Sequence, residues 1–240
     1  MKIRAVIFDI YATLLQVGTP PAQADELWQK LFQDLFQTGP SLSRLEFSIA
    51  CNRAIMLRHN SAKARGIPFP EILWPSIVRE LLSGFAKLNP AQQEEFIYRQ
   101  IQIGRTIGPM PGAAETLRWL AGKKCVLGIA SNAQAYTLRE LDTALQTEGC
   151  GWKMFDPELC YLSYQHGFSK PDPHGFQMLR MRLESRDINP NETLMVGDRL
   201  DNDVIPARLQ GFQTWHLKAE SPEGQSGLWD KLRTYLVRSV

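Results

Sequence analysis

Ala5-Val6-Ile7-Phe8-Asp9-Ile10-Tyr11-Ala12-Thr13-Leu14-Leu15 opens as four apolar residues and runs into a turn that carries a carboxylate. A short unbroken apolar run of this kind reads as a strand buried on both faces, as in parallel sheets. Asp9 emerges at its end, and a strand end is a place for a nucleophile.

Outward from this run, β-type stretches recur at 3–8, 125–130, 159–162, 193–196 and 213–217. From residue 125 onward they alternate with helix-period segments at 113–121, 136–147, 173–184 and 201–209, the pattern of βαβ units. Pro173 after Asp172 suits a helix start, and Gly211 a helix stop. More than a hundred residues separate the first two strands, too many for one crossover, and their pattern is helical almost throughout. Leu27, Trp28, Leu31, Phe32, Leu35 and Phe36 repeat at three and four, the spacing of a buried helix face. Pro20-Pro21 opens this interval and Gly108-Pro109-Met110-Pro111-Gly112 closes it. The expected organisation is an α/β core of residues 1–16 and 109–240, with an all-helical second domain inserted at 17–108.

The chain has 240 residues, 44% of them hydrophobic, enough for one large core and a smaller appendage. Its 27 Lys and Arg nearly balance 25 Asp and Glu, without the runs of like charge that mark a nucleic-acid arm. No apolar segment reaches the length of a membrane span. Cys51, Cys125, Cys150 and Cys160 are scattered without a Cys-x-x-Cys pair. Together these features favour a soluble protein of the reducing cytoplasm, with neither nucleic acid nor membrane as partner.

In an open parallel sheet, ligands bind outside the carboxyl ends of the strands. The polar residues at those ends are Asp9 and Thr13, Ser131-Asn132, Lys170 within Phe168-Ser169-Lys170-Pro171-Asp172, and Gly197-Asp198-Arg199-Leu200-Asp201-Asn202-Asp203. Each has an ordinary alternative: Ser131, Asn132 or Asp201 as a helix cap, Lys170 as a solvated loop cation. Their order and their common placement at strand ends set them apart as a group.

With these residues in place, the chain resembles the haloacid dehalogenase superfamily of aspartate-nucleophile hydrolases over about residues 1–16 and 109–217. Asp9-x-Tyr11-x-Thr13 is similar to its nucleophile loop, Ser131 to its second motif, Lys170 to its third, and Gly197-Asp198 with Asp203 to its acidic fourth. The resemblance implies a doubly wound, Rossmann-like parallel sheet, with the helical insert as a cap domain. It implies Asp9 as nucleophile and Mg²⁺ as cofactor, held by Asp9, Asp198 and the Tyr11 backbone carbonyl. Lys170 and donors near Ser131 would balance the remaining charge, Thr13 would position the loop or donate to substrate, and Asp203 or Asp201 would orient bound water or Lys170. Tyr11 and Asn132 would border the substrate, expected to be a small anionic molecule.

Tyr11 departs from the phosphatases of that superfamily, which usually carry Asp two residues after the nucleophile to protonate the leaving oxygen. A phenol is a poor base at neutral pH. Asp-x-Tyr-x-Thr is also the form seen in 2-haloacid dehalogenases, whose halide leaves without a proton, and Ser131-Asn132 fits them too. Their cap arginine has no motif here; Arg44, Arg53 and Arg58 are candidates. Ala12 replaces the usual glycine. Three carboxylates in the acidic fourth motif, beside Asp9, call for a cation. The favoured expectation is therefore a Mg²⁺-dependent hydrolase of a small phosphorylated metabolite. The alternatives are a metal-independent 2-haloacid dehalogenase and a catalytically weak domain that binds a phosphorylated ligand or a protein.

Overall fold

The computed structural model describes residues 2–221 and 224–240. β1 (Ala5–Phe8) is followed by β2 (Leu15–Val17), then four helices, α1 (Ala24–Phe36), α2 (Arg44–Ala64), α3 (Trp74–Leu81) and α4 (Pro90–Gly104). The chain continues through β3 (Ile107–Pro109), α5 (Ala113–Gly122), β4 (Val126–Ser131), α6 (Ala135–Gln146), β5 (Cys160–Leu162), α7 (Ser163–His166) and α8 (Pro173–Glu184). It ends with β6 (Thr193–Gly197), α9 (Ile205–Leu209), β7 (Gln213–His216), β8 (Gln225–Ser226) and α10 (Trp229–Ser239).

The main sheet has the order β5-β4-β1-β6-β7-β8, and its neighbours pair in parallel. From β1 the chain builds through β4 and β5 to one edge, then returns beside β1 with β6 and builds to the other. This is the doubly wound arrangement, and the winding reverses between β1 and β6. Every β1 side chain is buried because both faces are covered. Ala5, Ile7 and Met195 pack in one core with Phe176, Leu179 and Leu183 of α8 and Ala207 of α9. Phe8, pointing the other way, stacks on Trp229 of α10 with centroids 6.0 Å apart.

The register puts Phe8 level with Ile129 and Val196. The residues just past β1, at the end of β4 and just past β6 therefore come out at one edge of the sheet. Gly128 allows this close packing, since a Cβ there would lie 2.3 Å from the Leu159 carbonyl oxygen.

The described residues group into two compact units. One runs to Gln16 and resumes at Gly108; the other is Val17–Ile107. β2 and β3, at the two crossings, pair as a separate two-stranded sheet. Residues 108 and 109, expected as a turn, are thus part of a strand. In the second unit, Trp28, Phe32 and Phe36 of α1 pack with Phe47, Phe85 and Phe96, ring centroids 4.9–6.3 Å apart. Trp28 Nε1 donates to the Leu42 carbonyl at 2.9 Å. Reciprocal capping by Ser43 with Glu46 and by Asn89 with Gln92 starts α2 and α4.

The four cysteines are free and buried, and burial pushes the thiols of Cys51, Cys125 and Cys160 up to about 12. They are inert packing residues rather than nucleophiles. Among the described residues, no helix is long and apolar enough to cross a membrane.

Candidate active site

Asp9 leaves β1 with its backbone N–H donating to Val196 O at 3.0 Å, which extends the sheet by one bond. The chain then folds back sharply. Ile10 O accepts from Leu14 N and Leu15 N, each at 2.8 Å, and Ala12 N donates to Leu15 O at 2.7 Å. Ala12 sits at φ +57°, a left-handed conformation that disfavours a β-carbon. The loop thus keeps a glycine-type backbone despite the alanine. Ala12→Gly is expected to raise stability by about 1 kcal/mol, the relief of left-handed strain less the entropy cost of glycine; urea unfolding would measure it.

A recess of about 260 Å³ opens at this edge, lined by Asp9, Tyr11, Ala12, Ser131, Asn132, Lys170, Asp198, Arg199, Asn202 and Asp203. At its floor lies Lys170, buried to 4% exposure. Its Nζ donates to Asp9 Oδ1 at 2.8 Å, Ala130 O at 2.6 Å and Asp203 Oδ1 at 2.5 Å, using all three ammonium hydrogens. Burial alone would lower its pKa, but the charges of Asp203 and Asp9 outweigh burial and hold it above the ordinary lysine value. Lys170 therefore orients and neutralises two carboxylates and has no proton left for substrate.

Asp203 reaches this position through a wide turn. Residues 201–209, expected as one regular helix, begin as a π-helix over Leu200–Val204, closed by Ile205 N–H to Leu200 O, before α9 continues. Arg199 O accepts from both Asp203 N and Val204 N, at 3.0 and 3.2 Å. The second Asp203 oxygen accepts from Arg199 N at 3.1 Å. Gly197 makes room, because a Cβ there would lie 2.3 Å from Asp203 Oδ2. Burial, then the neighbouring carboxylate of Asp203, raises the pKa of half-buried Asp198; burial chiefly raises that of Asp203 as well, against the pull of Lys170.

Asp9, Asp198 and Asp203 each present a carboxylate oxygen within 4.8 Å of the others. Three carboxylates against one ammonium leave an excess of negative charge, and hard oxygen donors in this number suit Mg²⁺. Asp203 gives both oxygens to Lys170 and Arg199 whereas Asp9 gives only one to Lys170, so Asp9 and Asp198 have more carboxylate oxygen left for a cation.

Ser131 lines the recess, and Thr13 lies in the loop that follows Asp9. Their hydroxyls are buried and make no hydrogen bond within the protein. Buried hydroxyls normally find partners, and these two have none among the described residues.

Three expected site residues have partners of their own. Asn132 lines the recess as expected, and its amide also holds the lysine backbone, donating to Lys170 O at 3.0 Å and accepting from Lys170 N at 2.6 Å. Asp201 pairs with Arg199 at 2.6 Å and is largely exposed, so it orients neither Lys170 nor the cluster. The Tyr11 hydroxyl, although Tyr11 borders the recess, bonds Thr137 Oγ1 at 2.9 Å and Glu140 Oε2 at 2.5 Å, both on α6. In the second unit, Arg44 pairs with Asp25 and Arg58 with Glu80, while Arg53 is exposed.

Two contributors carry no motif in the sequence. Glu140 is 1% exposed, and its only local signal is an acid three residues after buried Thr137 and next to buried Leu141. His216, at the end of β7, bonds the Asp198 carbonyl through Nε2 at 2.9 Å. A carbonyl only accepts, so Nε2 carries the hydrogen, and the contact pins the backbone of Asp198.

A doubly wound sheet with an aspartate past its central strand, a buried lysine and an acidic cluster defines a hydrolase core of the aspartate-loop class. Residues 3–211 match the family model for haloacid dehalogenase-like hydrolases. The chain belongs to that family and is thereby an enzyme acting on a small molecule. It is 27% identical over 228 residues to the rhythmically expressed gene 2 protein of Drosophila melanogaster, covering 90% of this chain and 82% of that one. Its fold is similar to that of a 2-haloacid dehalogenase from Pseudomonas syringae pv. Tomato DC3000, with TM-score 0.63 and 19% identity, covering 99% of this chain and 100% of the other. It is also similar to a HAD phosphatase from Thermococcus onnurineus, with TM-score 0.57 and 21% identity over 98% of each chain. HAD hydrolases commonly use Mg²⁺, and the buried acidic cluster accords with that habit.

Proposed function

We propose that this chain is a Mg²⁺-dependent hydrolase of a small phosphorylated metabolite, with Asp9 as nucleophile and Val17–Ile107 as its cap. The convergence of Asp9, Asp198 and Asp203 against a single lysine carries the proposal. Such a cluster repels itself without a cation, whereas a dehalogenase attacking a haloacid has no use for one. Mg²⁺ held by Asp9 and Asp198 would supply the positive charge that lets a carboxylate approach a phosphate.

The chain's own residues do the rest. Lys170 engages only one lone pair of Asp9 Oδ1, so that oxygen can still face the cation while Oδ2 is left for attack on phosphorus. The Thr13 and Ser131 hydroxyls donate to the phosphoryl oxygens, which would satisfy both orphans. Asp203 fixes Lys170, and Asn132 fixes the lysine backbone.

A second reading, 2-haloacid dehalogenase, is favoured by the Tyr11 hydroxyl being tied to α6, since halide leaves without a proton. The two are separated by measuring phosphate release from p-nitrophenyl phosphate and halide release from 2-chloropropionate, each with Mg²⁺ and with chelator. Phosphate release that disappears with chelator is the expected result. Halide release that persists in chelator, without phosphate release, would overturn the proposal in favour of the second reading.

A further inference from the structure

We infer that the site takes phosphate compounds whose leaving group departs as a stable anion, acyl phosphates and phosphoric anhydrides, in preference to alkyl phosphate esters. The inference rests on the phosphohydrolase reading and narrows its substrate class. Its basis is a chain of hydrogen bonds that fixes where the Tyr11 proton goes. Gln134 N–H donates to Thr137 Oγ1 at 3.0 Å, Thr137 Oγ1 lies 2.9 Å from the Tyr11 hydroxyl, and that hydroxyl lies 2.5 Å from Glu140 Oε2. A carboxylate only accepts, so the single phenolic hydrogen is given to Glu140. Thr137, already accepting from Gln134, gives its own hydrogen to the Tyr11 oxygen. Thr137 and Glu140 are shut off from solvent, at 0% and 1% exposure, while Tyr11 itself is half-buried. The phenol beside Asp9 is thus spent on holding the nucleophile loop to α6.

Among the described residues, the rest of the recess offers no replacement acid. Lys170 has committed its three hydrogens, and both Asp203 oxygens accept from Lys170 and Arg199. Asp198 is taken by the cation in the reading above. Arg199 and Asn202 do not release protons near neutrality. In the first step the Asp9 carboxylate bonds to phosphorus as the bond to the leaving oxygen breaks, and the electron pair departs on that oxygen unprotonated. In the second, water attacks phosphorus, its proton passes to solvent, and the bond to Asp9 breaks to restore the carboxylate. Only the first step asks anything of the leaving group, and without a positioned acid its rate follows leaving-group basicity.

The test uses the full chain with Mg²⁺ on aryl phosphates whose phenols span about four pKa units, with acetyl phosphate and glycerol phosphate as the extremes. The expected result is a steep fall of kcat/KM with leaving-group pKa, and acetyl phosphate preferred to glycerol phosphate by about 10³-fold or more. Tyr11→Asp, which puts a carboxyl in place of the phenol, should flatten the slope and raise glycerol phosphate turnover; if that variant does not fold, the wild-type slope decides alone. Glycerol phosphate hydrolysed within about tenfold of acetyl phosphate overturns the inference and leaves the phosphohydrolase reading intact. No phosphate release from any of these compounds overturns that reading, and the inference with it.

Discussion

Asp9→Asn is expected to lower phosphate release by about 10⁴-fold or more while leaving the protein folded, because the substitution removes the carboxylate proposed to attack. The geometry separates the two effects. Asparagine keeps the shape, and its amide oxygen still accepts from Lys170 Nζ, now 2.8 Å from Asp9 Oδ1. It also removes one negative charge from a cluster in which three carboxylates share one ammonium. Stability should therefore stay level or rise slightly. Initial rates with p-nitrophenyl phosphate, beside a thermal melt of each protein, check both halves. A variant retaining more than about a tenth of wild-type turnover would remove Asp9 from the chemistry.

Lys170→Met should act on stability as strongly as Asp9→Asn acts on rate. Lys170 is the counter-charge for two carboxylates that are themselves almost wholly enclosed. Removing one partner of a buried ion pair leaves uncompensated charge and costs about 3–5 kcal/mol. For a chain of this size that is a fall in Tm of about 6–20 °C. The loss should shrink on acidification. Burial already raises the pKa of Asp203 against the pull of the lysine, so without Lys170 this carboxyl holds its proton more tightly in the folded than in the unfolded chain, and the penalty grows as pH rises and eases as it falls. Adding Asp203→Asn should recover part of the loss at neutral pH. A Tm for Lys170→Met within about 2 °C of wild type would show the trio to be less coupled than its distances imply.

The parallel core was legible because its strands are buried on both faces and so read as unbroken apolar runs such as Ala5–Phe8 and Thr193–Gly197. β2, β3 and β8 were not, since two or three residues carry no periodicity, and Gly108-Pro109 looks like a turn until its partner strand is known. The gathering of Asp9, Asp198, Asp203 and Lys170 follows from their strand-end positions. Which carboxylate stays outside does not, because Asp201 and Asp203 are alike in sequence. The π-helix at Leu200–Val204 separates them, turning Asp203 onto Lys170 and leaving Asp201 to Arg199. The Tyr11 partners lie 126 and 129 residues away in sequence, beyond any local pattern.

The ribbon of β2 and β3 has a meaning for how such a chain can change over time. Gly18 N donates to Thr106 O at 2.9 Å and Thr106 N to Thr19 O at 3.1 Å, so the inserted segment begins and ends at one spot. A segment with adjoining ends can be lengthened, shortened or exchanged without re-threading the strands that carry the carboxylates. If the insert is the cap proposed above, selection on what the enzyme accepts and selection on how it cleaves fall on separate stretches of sequence, and either can drift without dragging the other along.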